Sequence, residues 1–159
     1  MTRSGPTEEP IPNTGWLTDA EQHAWRSMLL AYQRIFEGMD KQLRGEVQIP
    51  HAYYIILAML SEAPDRTLRM TELARLTRAS QSRTSHAVAA LEERGWVRRE
   101  PCPSDKRGHL ASLTELGYTT VVAAAPSHVA EVRHLVFDQL TPAQVLQLGQ
   151  IMDSINAKP

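Results

Sequence analysis

The chain has little of what many classes of protein require. Its 159 residues include a single cysteine, Cys102, which excludes an internal disulfide framework and any multi-cysteine zinc site within one chain. No run of apolar residues approaches the ~18 that a membrane-spanning helix needs. The N-terminus also lacks the charged-then-apolar pattern of a signal peptide. We therefore expect a cytoplasmic protein.

Motifs for metal binding and catalysis are missing as well. The six histidines are scattered, and no two have the i, i+4 spacing that would place two imidazoles on one metal ion. The sequence contains no glycine-rich phosphate loop. No nucleophile, base and orienting group can be assembled from residue spacing. We expect no cofactor, no metal site and no enzymatic activity.

The overall charge is nearly balanced, with 17 basic and 18 acidic side chains and a formal net charge of −1. Its distribution is uneven, because residues 66–109 carry a net charge of +5 and the rest of the chain carries −6. A basic region confined to one segment is typical of a protein that binds a phosphate backbone. The alternative is a solvated charged surface, which usually interleaves both signs along the chain.

The segment from Leu68 to Leu113 has the element order of a winged helix-turn-helix. Two short helical patterns, MTELARLT and SQSRTSHAVAALEERG, precede two strand-like runs, WVRREPC and HLASLT, on either side of the turn-like PSDKRG. Thr71 can cap the first helix, and Gly95 can end the second in the left-handed conformation. The order of these elements predicts nucleic-acid binding.

The sequences on either side predict further helices. Residues 1–15 are polar and proline-rich, which favours a flexible tail. Thr18 and Glu21 form a capping box before a long apolar periodicity, and HAYYIILAMLSEA reads as a buried helix that stops at Pro64. Thr114 and Thr141 begin two more amphipathic helices.

These terminal helices have more apolar surface than a winged helix needs to close its core. We expect the surplus to pack against a second copy of the chain, while the alternative is a single larger monomeric bundle. The predicted fold class is therefore mainly α (α+β), a winged helix-turn-helix with N- and C-terminal dimerisation helices. Residues 16–48 and 115–157 form the predicted dimerisation region, and residues 50–113 form the predicted DNA-binding domain.

The residue types at the start of the second short helix suit base recognition. A recognition helix enters the major groove by its N-terminal residues, where arginine can pair with guanine and glutamine with adenine. The alternative is an ordinary polar helix face, and the basic hairpin that follows favours DNA binding. The predicted base-reading residues are Gln81, Ser82, Arg83, Ser85 and His86. The predicted contacts to the DNA backbone, from the helices and the wing, are Arg75, Arg78, Thr84, Arg98, Lys106 and Arg107.

Asp105 is the acidic exception at the hairpin tip, where a phosphate would repel it. We expect it to brace the wing by pairing with Arg107 or with a neighbouring arginine such as Arg98.

At this point the sequence resembles a known family. The run ELARLTRASQSRTSHAVAALEERGWVRR, followed by DKRG and LTELG, resembles the MarR family of bacterial transcription regulators. The resemblance covers about residues 17–157 and includes, in family order, Leu91-Glu92-x-x-Gly95, Asp105-x-Arg107 and Thr114-x-x-Gly117. The tail before Trp16 departs from the family's usual compact start.

The resemblance implies a homodimeric regulator, expected to be a repressor. Each protomer would offer one winged helix to successive major grooves of a pseudopalindromic site in double-stranded DNA. Arg83 and its neighbours would occupy the family's base-reading face, and Arg107 would be the wing-tip arginine.

Two forms of regulation follow as hypotheses. MarR-like dimers commonly respond to a small ligand held near the dimerisation helices, and the residues that mix aromatic area with polar tips here are Trp25, Met28, Tyr32, His51, Tyr54 and Met59. A small aromatic or phenolic compound would fit such a site, although the same residues are typical of a helical core. Cys102 offers an alternative, redox sensing, because Arg98 and Arg99 could lower the pKa of its thiol. A winged-helix protein-interaction module is the other alternative.

Overall fold

A computed structural model describes residues 15–103 and 105–157, without the side chains of Lys106 and Arg107. Residues 1–14 of the predicted tail lie outside the described residues. The chain divides into two compact units, residues 1–33 and 34–159, and we describe each by itself. No helix among the described residues is long and apolar enough to cross a membrane.

The first unit contains the start of α1, a helix that spans Asp19–Glu46. The predicted capping box is confirmed: the Thr18 N–H and hydroxyl donate to Glu21 Oε2 at 2.7 and 2.8 Å, and the Glu21 N–H donates to Thr18 Oγ1 at 3.3 Å. Large apolar side chains of this unit are exposed, among them Trp16, Leu17, Trp25, Met28, Leu29, Leu30 and Tyr32.

Among its described residues, the second unit contains the rest of α1, five further α-helices and three strands. The helices are α2 (His51–Glu62), α3 (Met70–Leu76), α4 (Gln81–Glu93), α5 (Glu115–Leu135) and α6 (Pro142–Asn156). Short 3₁₀ turns at Pro64–Arg66 and Phe137–Gln139 follow α2 and α5. The strands are β1 (Thr67–Arg69), β2 (Val97–Cys102) and β3 (Asp105–Leu113). The predicted mainly helical α+β fold is confirmed.

The core of this unit joins α2, α3 and α4 to the sheet. Side chains from all of these elements are fully buried: Leu57, Leu60, Leu73, Val88, Leu91 and Ala111 are each 0% exposed. The apolar residues Ala87, Val88 and Leu91 of α4 all lie in this cluster. The packing fixes α4 by one face and leaves its opposite face outside.

Local signals define α4 as predicted, but not α3. The Ser80 hydroxyl accepts from the Arg83 N–H at 3.3 Å, and Gly95 has a φ of +72° just beyond the helix end. The prediction that Thr71 caps α3 was wrong, because α3 begins at Met70 and Thr71 lies inside its first turn. The N-cap residue is Arg69, whose side chain makes no capping hydrogen bond.

The sheet has a strand that the sequence analysis did not predict. Its order is β1-β3-β2, all antiparallel, and β1 places Leu68 opposite Ala111 on β3. A three-residue strand is too short to show an alternating pattern in the sequence. Strand β1 is therefore recognised only by its pairing with the central strand β3.

The hairpin also differs from the prediction. The segment PSDKRG was expected to be a turn, yet Asp105 begins β3 directly and pairs with Cys102. Pro101 pairs with His109, so the register shifts between Pro101 and Cys102. Proline, aspartate and glycine favour a β-bulge as well as a turn, and the sequence alone does not distinguish the two.

The helices at the C-terminal end begin as predicted. The Thr114 hydroxyl accepts from the Gly117 N–H at 3.0 Å at the start of α5. The Thr141–Gln144 capping box begins α6. No side chain of α6 is buried, and Leu146, Ile151 and Ile155 are more than half exposed. This helix therefore presents apolar surface that the described chain does not cover.

Candidate nucleic-acid interface

The exposed face of α4 is set by the residues it buries. Thr84, Ala87, Val88 and Leu91 fall on one side of a helix that turns by 100° per residue, and all four are buried. The opposite side carries Ser82 and His86, which together with Ser85 and Ala89 line a shallow depression of about 270 Å³. The centre of the outward face therefore carries short side chains and the His86 imidazole.

The remaining predicted base-reading residues lie on the two flanks of α4. Gln81 and Ser85 lie on the flank that faces the wing, where both line a groove between α4 and the sheet. Arg83 is exposed and, by its helical angle, lies on the flank away from the wing. All five predicted base-reading side chains are exposed, and they form three adjacent rows rather than one.

Thr84 is a correction to the predicted contacts. Its side chain is 1% exposed, and its hydroxyl donates to the Ser80 carbonyl oxygen at 3.1 Å. A side chain inside the core cannot touch a phosphate. The sequence suggested a contact because Thr84 stands among polar residues, whereas its angle on α4 puts it with Val88 and Leu91.

The groove between α4 and the wing has a volume of about 610 Å³. Its helical side is formed by Gln81, Ser85 and Glu92 of α4 together with Met70 and Thr71 of α3, and its strand side by Arg99, Pro101 and His109. His109 is exposed and was not among the predicted contacts. The sequence analysis placed His109 at the start of the strand-like run HLASLT, and a strand position alone does not show which face its side chain takes.

An ion pair between Arg99 and Glu92 joins the wing to α4 at the wall of this groove. The Arg99 guanidinium donates from Nε to Glu92 Oε2 at 2.8 Å, and its Nη2 lies 2.6 Å from the same oxygen. The Arg99 backbone N–H donates to Glu92 Oε1 at 3.2 Å. The hydrogen bond from Arg99 lowers the pKa of Glu92, so this carboxylate stays charged and paired.

The predicted backbone-contacting arginines differ in how they are held. Arg75 pairs with Glu72 at 2.6 Å within α3, and Arg98 pairs with Glu100 at 2.9 Å along β2. Arg78 lies in the turn between α3 and α4, where it is exposed and has a φ of +52°. The side chains of Lys106 and Arg107 lie outside the described residues. Exposed pairs of this kind are weak, so Arg75 and Arg98 can exchange their partners for a phosphate.

Asp105 has a partner that the sequence analysis did not name. Its Oδ2 lies 3.9 Å from Arg69 Nη1, while Arg98, one of the two expected partners, pairs with Glu100. Arg69 belongs to β1, so its pairing joins the first strand to the hairpin. The unpredicted strand explains why Arg69 was missed.

Two histidines meet between α2 and α5 in the second unit. The rings of His51 and His128 lie 5.6 Å apart, and Tyr54 packs 4.5 Å from His128. His51 is 6% exposed, and its Nδ1 is buried without a hydrogen-bond partner among the described residues. Burial lowers the pKa of both histidines, and the neighbouring His128 lowers that of His51 further.

The predicted ligand-pocket residues are not brought together as one described site. His51 and Tyr54 are buried, Met59 is partly buried, and all three belong to the second unit. Trp25, Met28 and Tyr32 belong to the first unit, where they are 50%, 39% and 65% exposed. The structure instead adds His128 and Phe36 to the ring cluster around His51.

Cys102 is 5% exposed at the end of β2. The two arginines expected to activate it, Arg98 and Arg99, bind Glu100 and Glu92. A buried thiol is poorly accessible to oxidants, so the structure does not support the redox hypothesis.

Comparison with known proteins shows the family to which this chain belongs. A MarR family model matches residues 47–108, which include α2, α3, α4 and β2. The crystal structure of Sco3205, a MarR family transcriptional regulator from Streptomyces coelicolor in complex with DNA, is 51% identical. It superposes with a TM-score of 0.86 and covers 89% of each chain. The chain belongs to the MarR family.

Two other relatives agree with this assignment. AbsC, a second MarR family regulator from Streptomyces coelicolor, is 40% identical with a TM-score of 0.84, and the match covers 89% of this chain and 95% of AbsC. YdcH, an HTH-type transcriptional regulator of Bacillus subtilis, is 32% identical over 84 residues. That match covers 52% of this chain and spans 57% of the length of YdcH. MarR family members of this kind are transcriptional regulators, not enzymes.

Proposed function

We propose that this MarR family protein is a sequence-specific DNA-binding repressor that acts as a homodimer on a pseudopalindromic operator in the bacterial cytoplasm. The observation that carries the proposal is the exposed polar face of α4 beside a basic wing, on a chain 51% identical to a regulator crystallised in complex with DNA. A helix that enters the major groove needs exposed hydrogen-bonding side chains on its outward side, and the three adjacent rows that hold Gln81, Ser82, Arg83 and His86 supply them.

The exposed apolar helices support a homodimer. In α6, Leu146 is 71% exposed, Ile151 54% and Ile155 53%, and apolar surface of this extent is rarely left in water. A second copy of the same chain is the partner that a two-fold operator requires. Light scattering on the purified protein should give twice the mass of the 17.8 kDa chain.

A charged substitution on α6 tests this interface. Ile151→Glu should shift the mass toward that of one chain and weaken operator binding, because a carboxylate in an apolar interface stays desolvated. Gln150→Glu is the matched control, since it adds the same charge at an exposed polar position of the same helix. A wild-type protein that is monomeric and still binds its operator would contradict the dimer.

Selection of binding sites from random DNA with the purified protein tests the operator itself. We expect an inverted repeat whose half-sites have centres about 10 bp apart, one turn of B-DNA, because two recognition helices related by a two-fold axis meet successive major grooves. Selection of a single unrepeated half-site would contradict binding as a symmetric dimer. Failure to enrich any sequence would contradict sequence-specific binding.

Two substitutions separate base reading from backbone contact. Arg83→Ala should cost about 1–3 kcal/mol and relax the preference at one base pair per half-site. Lys106→Ala should weaken binding to all sequences alike and reduce the slope of log K against log salt by about one. A uniform loss for Arg83→Ala would instead assign Arg83 to the phosphate backbone.

Release by a small aromatic ligand is part of the proposal. It is supported by the buried rings of His51 and Tyr54 with the partly buried ring of His128 beside them, and by His51 Nδ1, which has no hydrogen-bond partner among the described residues and which a ligand hydroxyl or carboxylate could satisfy. A panel of phenolic and aromatic acids should contain compounds that weaken operator binding by the wild type and act less on His51→Phe. If no compound in the panel changes operator affinity, release by a small aromatic ligand is contradicted.

A further inference from the structure

His109 lies at the point where the inner face of the wing changes from apolar to polar. Side chains alternate along β3, so His109 shares one face with Ala111 and Leu113, which are 0% and 8% exposed. Pairing places Val97, Arg99 and Pro101 of β2 on that same face. Toward the hairpin end the face passes the edge of the core, and His109 projects into the groove opposite α4.

The way a winged helix binds DNA indicates which part of the DNA would occupy this groove. When a recognition helix lies in the major groove and the adjoining wing reaches the next minor groove, one sugar–phosphate strand separates the two grooves. That strand has to pass between helix and wing. In this chain the space between α4 and the wing is the groove of about 610 Å³ lined by Ser85, Thr71 and His109.

The charges in the groove permit a phosphate there. Glu92 is the carboxylate on its wall, and the Arg99 guanidinium neutralises it through two contacts to Glu92 Oε2. The side chains around it offer hydrogen-bond donors: the hydroxyls of Thr71 and Ser85, the amide of Gln81 and the imidazole of His109. Donors of this kind hold a phosphodiester in position without reading the base sequence.

We infer that His109 is a further DNA-contacting residue, whose imidazole N–H donates a hydrogen bond to one phosphate of the strand between α4 and the wing. The inference rests on the proposed DNA-binding function. His109 thereby fixes the register of α4 in the major groove and acts as a positioning residue for the base-reading side chains, because a phosphate contact carries no sequence information itself.

The first test compares His109→Ala with His109→Gln and the wild type. His109→Ala should weaken binding about tenfold, both to the selected operator and to random duplex DNA, the loss expected of one hydrogen bond to a charged group. His109→Gln keeps an N–H donor and should recover part of that loss. His134→Ala, an exposed histidine of α5, is the control and should bind as the wild type does.

The second test locates the phosphate. Operator duplexes carrying one neutral methylphosphonate at a time should reveal a backbone position where substitution weakens the wild type about tenfold but leaves His109→Ala unaffected. The contact and the phosphate are then coupled. Equal effects of every methylphosphonate on both proteins would overturn the contact.

The outcomes separate this inference from the proposed function. A wild-type protein that binds no DNA would contradict the proposed function and, with it, the contact between His109 and a phosphate. Normal wild-type binding with unchanged binding by His109→Ala would overturn only the contact. A loss confined to one base pair of the operator would overturn the backbone role by making His109 a base reader. Thermal unfolding of His109→Ala should match the wild type, because the side chain is exposed.

Discussion

The ion pair between Glu92 and Arg99 should control the position of the wing more than the stability of the fold. Glu92→Ala removes two guanidinium contacts, at 2.8 and 2.6 Å, and one backbone hydrogen bond at 3.2 Å. Both side chains are 36% exposed, so solvent screens the pair. We expect a loss of about 1 kcal/mol in the free energy of unfolding, which corresponds to a fall of about 2–4 °C in Tm.

Operator affinity should fall in addition, since the pair links α4 to β2 beside the groove between them and so helps to fix its width. Glu93→Ala is the matched control, because it removes the same charge from the next, exposed residue of α4. The stability loss of Glu92→Ala should also shrink in acid. The pKa of Glu92 is lowered in the folded state, so its contribution is present above the ~4.3 of a free glutamate and is lost as pH falls below it.

A double-mutant cycle with Arg99→Ala measures the pair directly. Unfolding and operator binding should both show a coupling of at least about 0.5 kcal/mol between positions 92 and 99. If the two single losses add within about 0.3 kcal/mol in both assays, the pair does not position the wing and the reasoning is refuted.

Three further predictions follow from buried positions. Gly117→Ala should destabilise by about 1–3 kcal/mol or more in denaturant titration, because its Cβ would lie 2.1 Å from the Trp96 carbonyl oxygen; Gly45→Ala, with nothing within 4 Å, should be neutral or stabilising. The lowered pKa values of His51 and His128 mean that the unfolded chain takes up protons first. The contribution of these two neutral imidazoles to the free energy of unfolding should therefore be present above about pH 7 and decrease as pH falls through about 6.5, with a smaller slope for His51→Phe; a slope equal to that of the wild type would contradict this. Cys102→Ser should leave the peroxide response of operator binding unchanged, since the thiol is 5% exposed, and a lost response would restore the redox hypothesis.

The helices were predictable because their signals are local. Thr18, Ser80, Thr114 and Thr141 each precede a helix and each accepts a backbone hydrogen bond at its start, as expected of an N-cap. The buried residues of α4, Ala87, Val88 and Leu91, likewise recur at helical spacing, which is a local signal. A cap or an apolar stripe needs only neighbours within about one or two turns.

The errors arose where partners are distant along the chain. Strand β1 is defined by pairing with β3 more than forty residues later, Thr67 opposite Ser112, and Asp105 found Arg69 through that strand. Thr84 was misplaced for the opposite reason, since its angle on α4 was available in the sequence but its polar type was given more weight.

The sequence by itself determined the order of the elements, the family resemblance and the basic segment, because caps, periodicity and charge are properties of the chain read locally. The tertiary structure alone decided which side of α4 faces the wing, where Arg99 binds Glu92, and that His109 faces Ser85 across a groove. Those facts depend on how β2 and β3 pack against α4. Side chains far apart in the chain meet only once the core around Leu73, Val88 and Ala111 has fixed that packing.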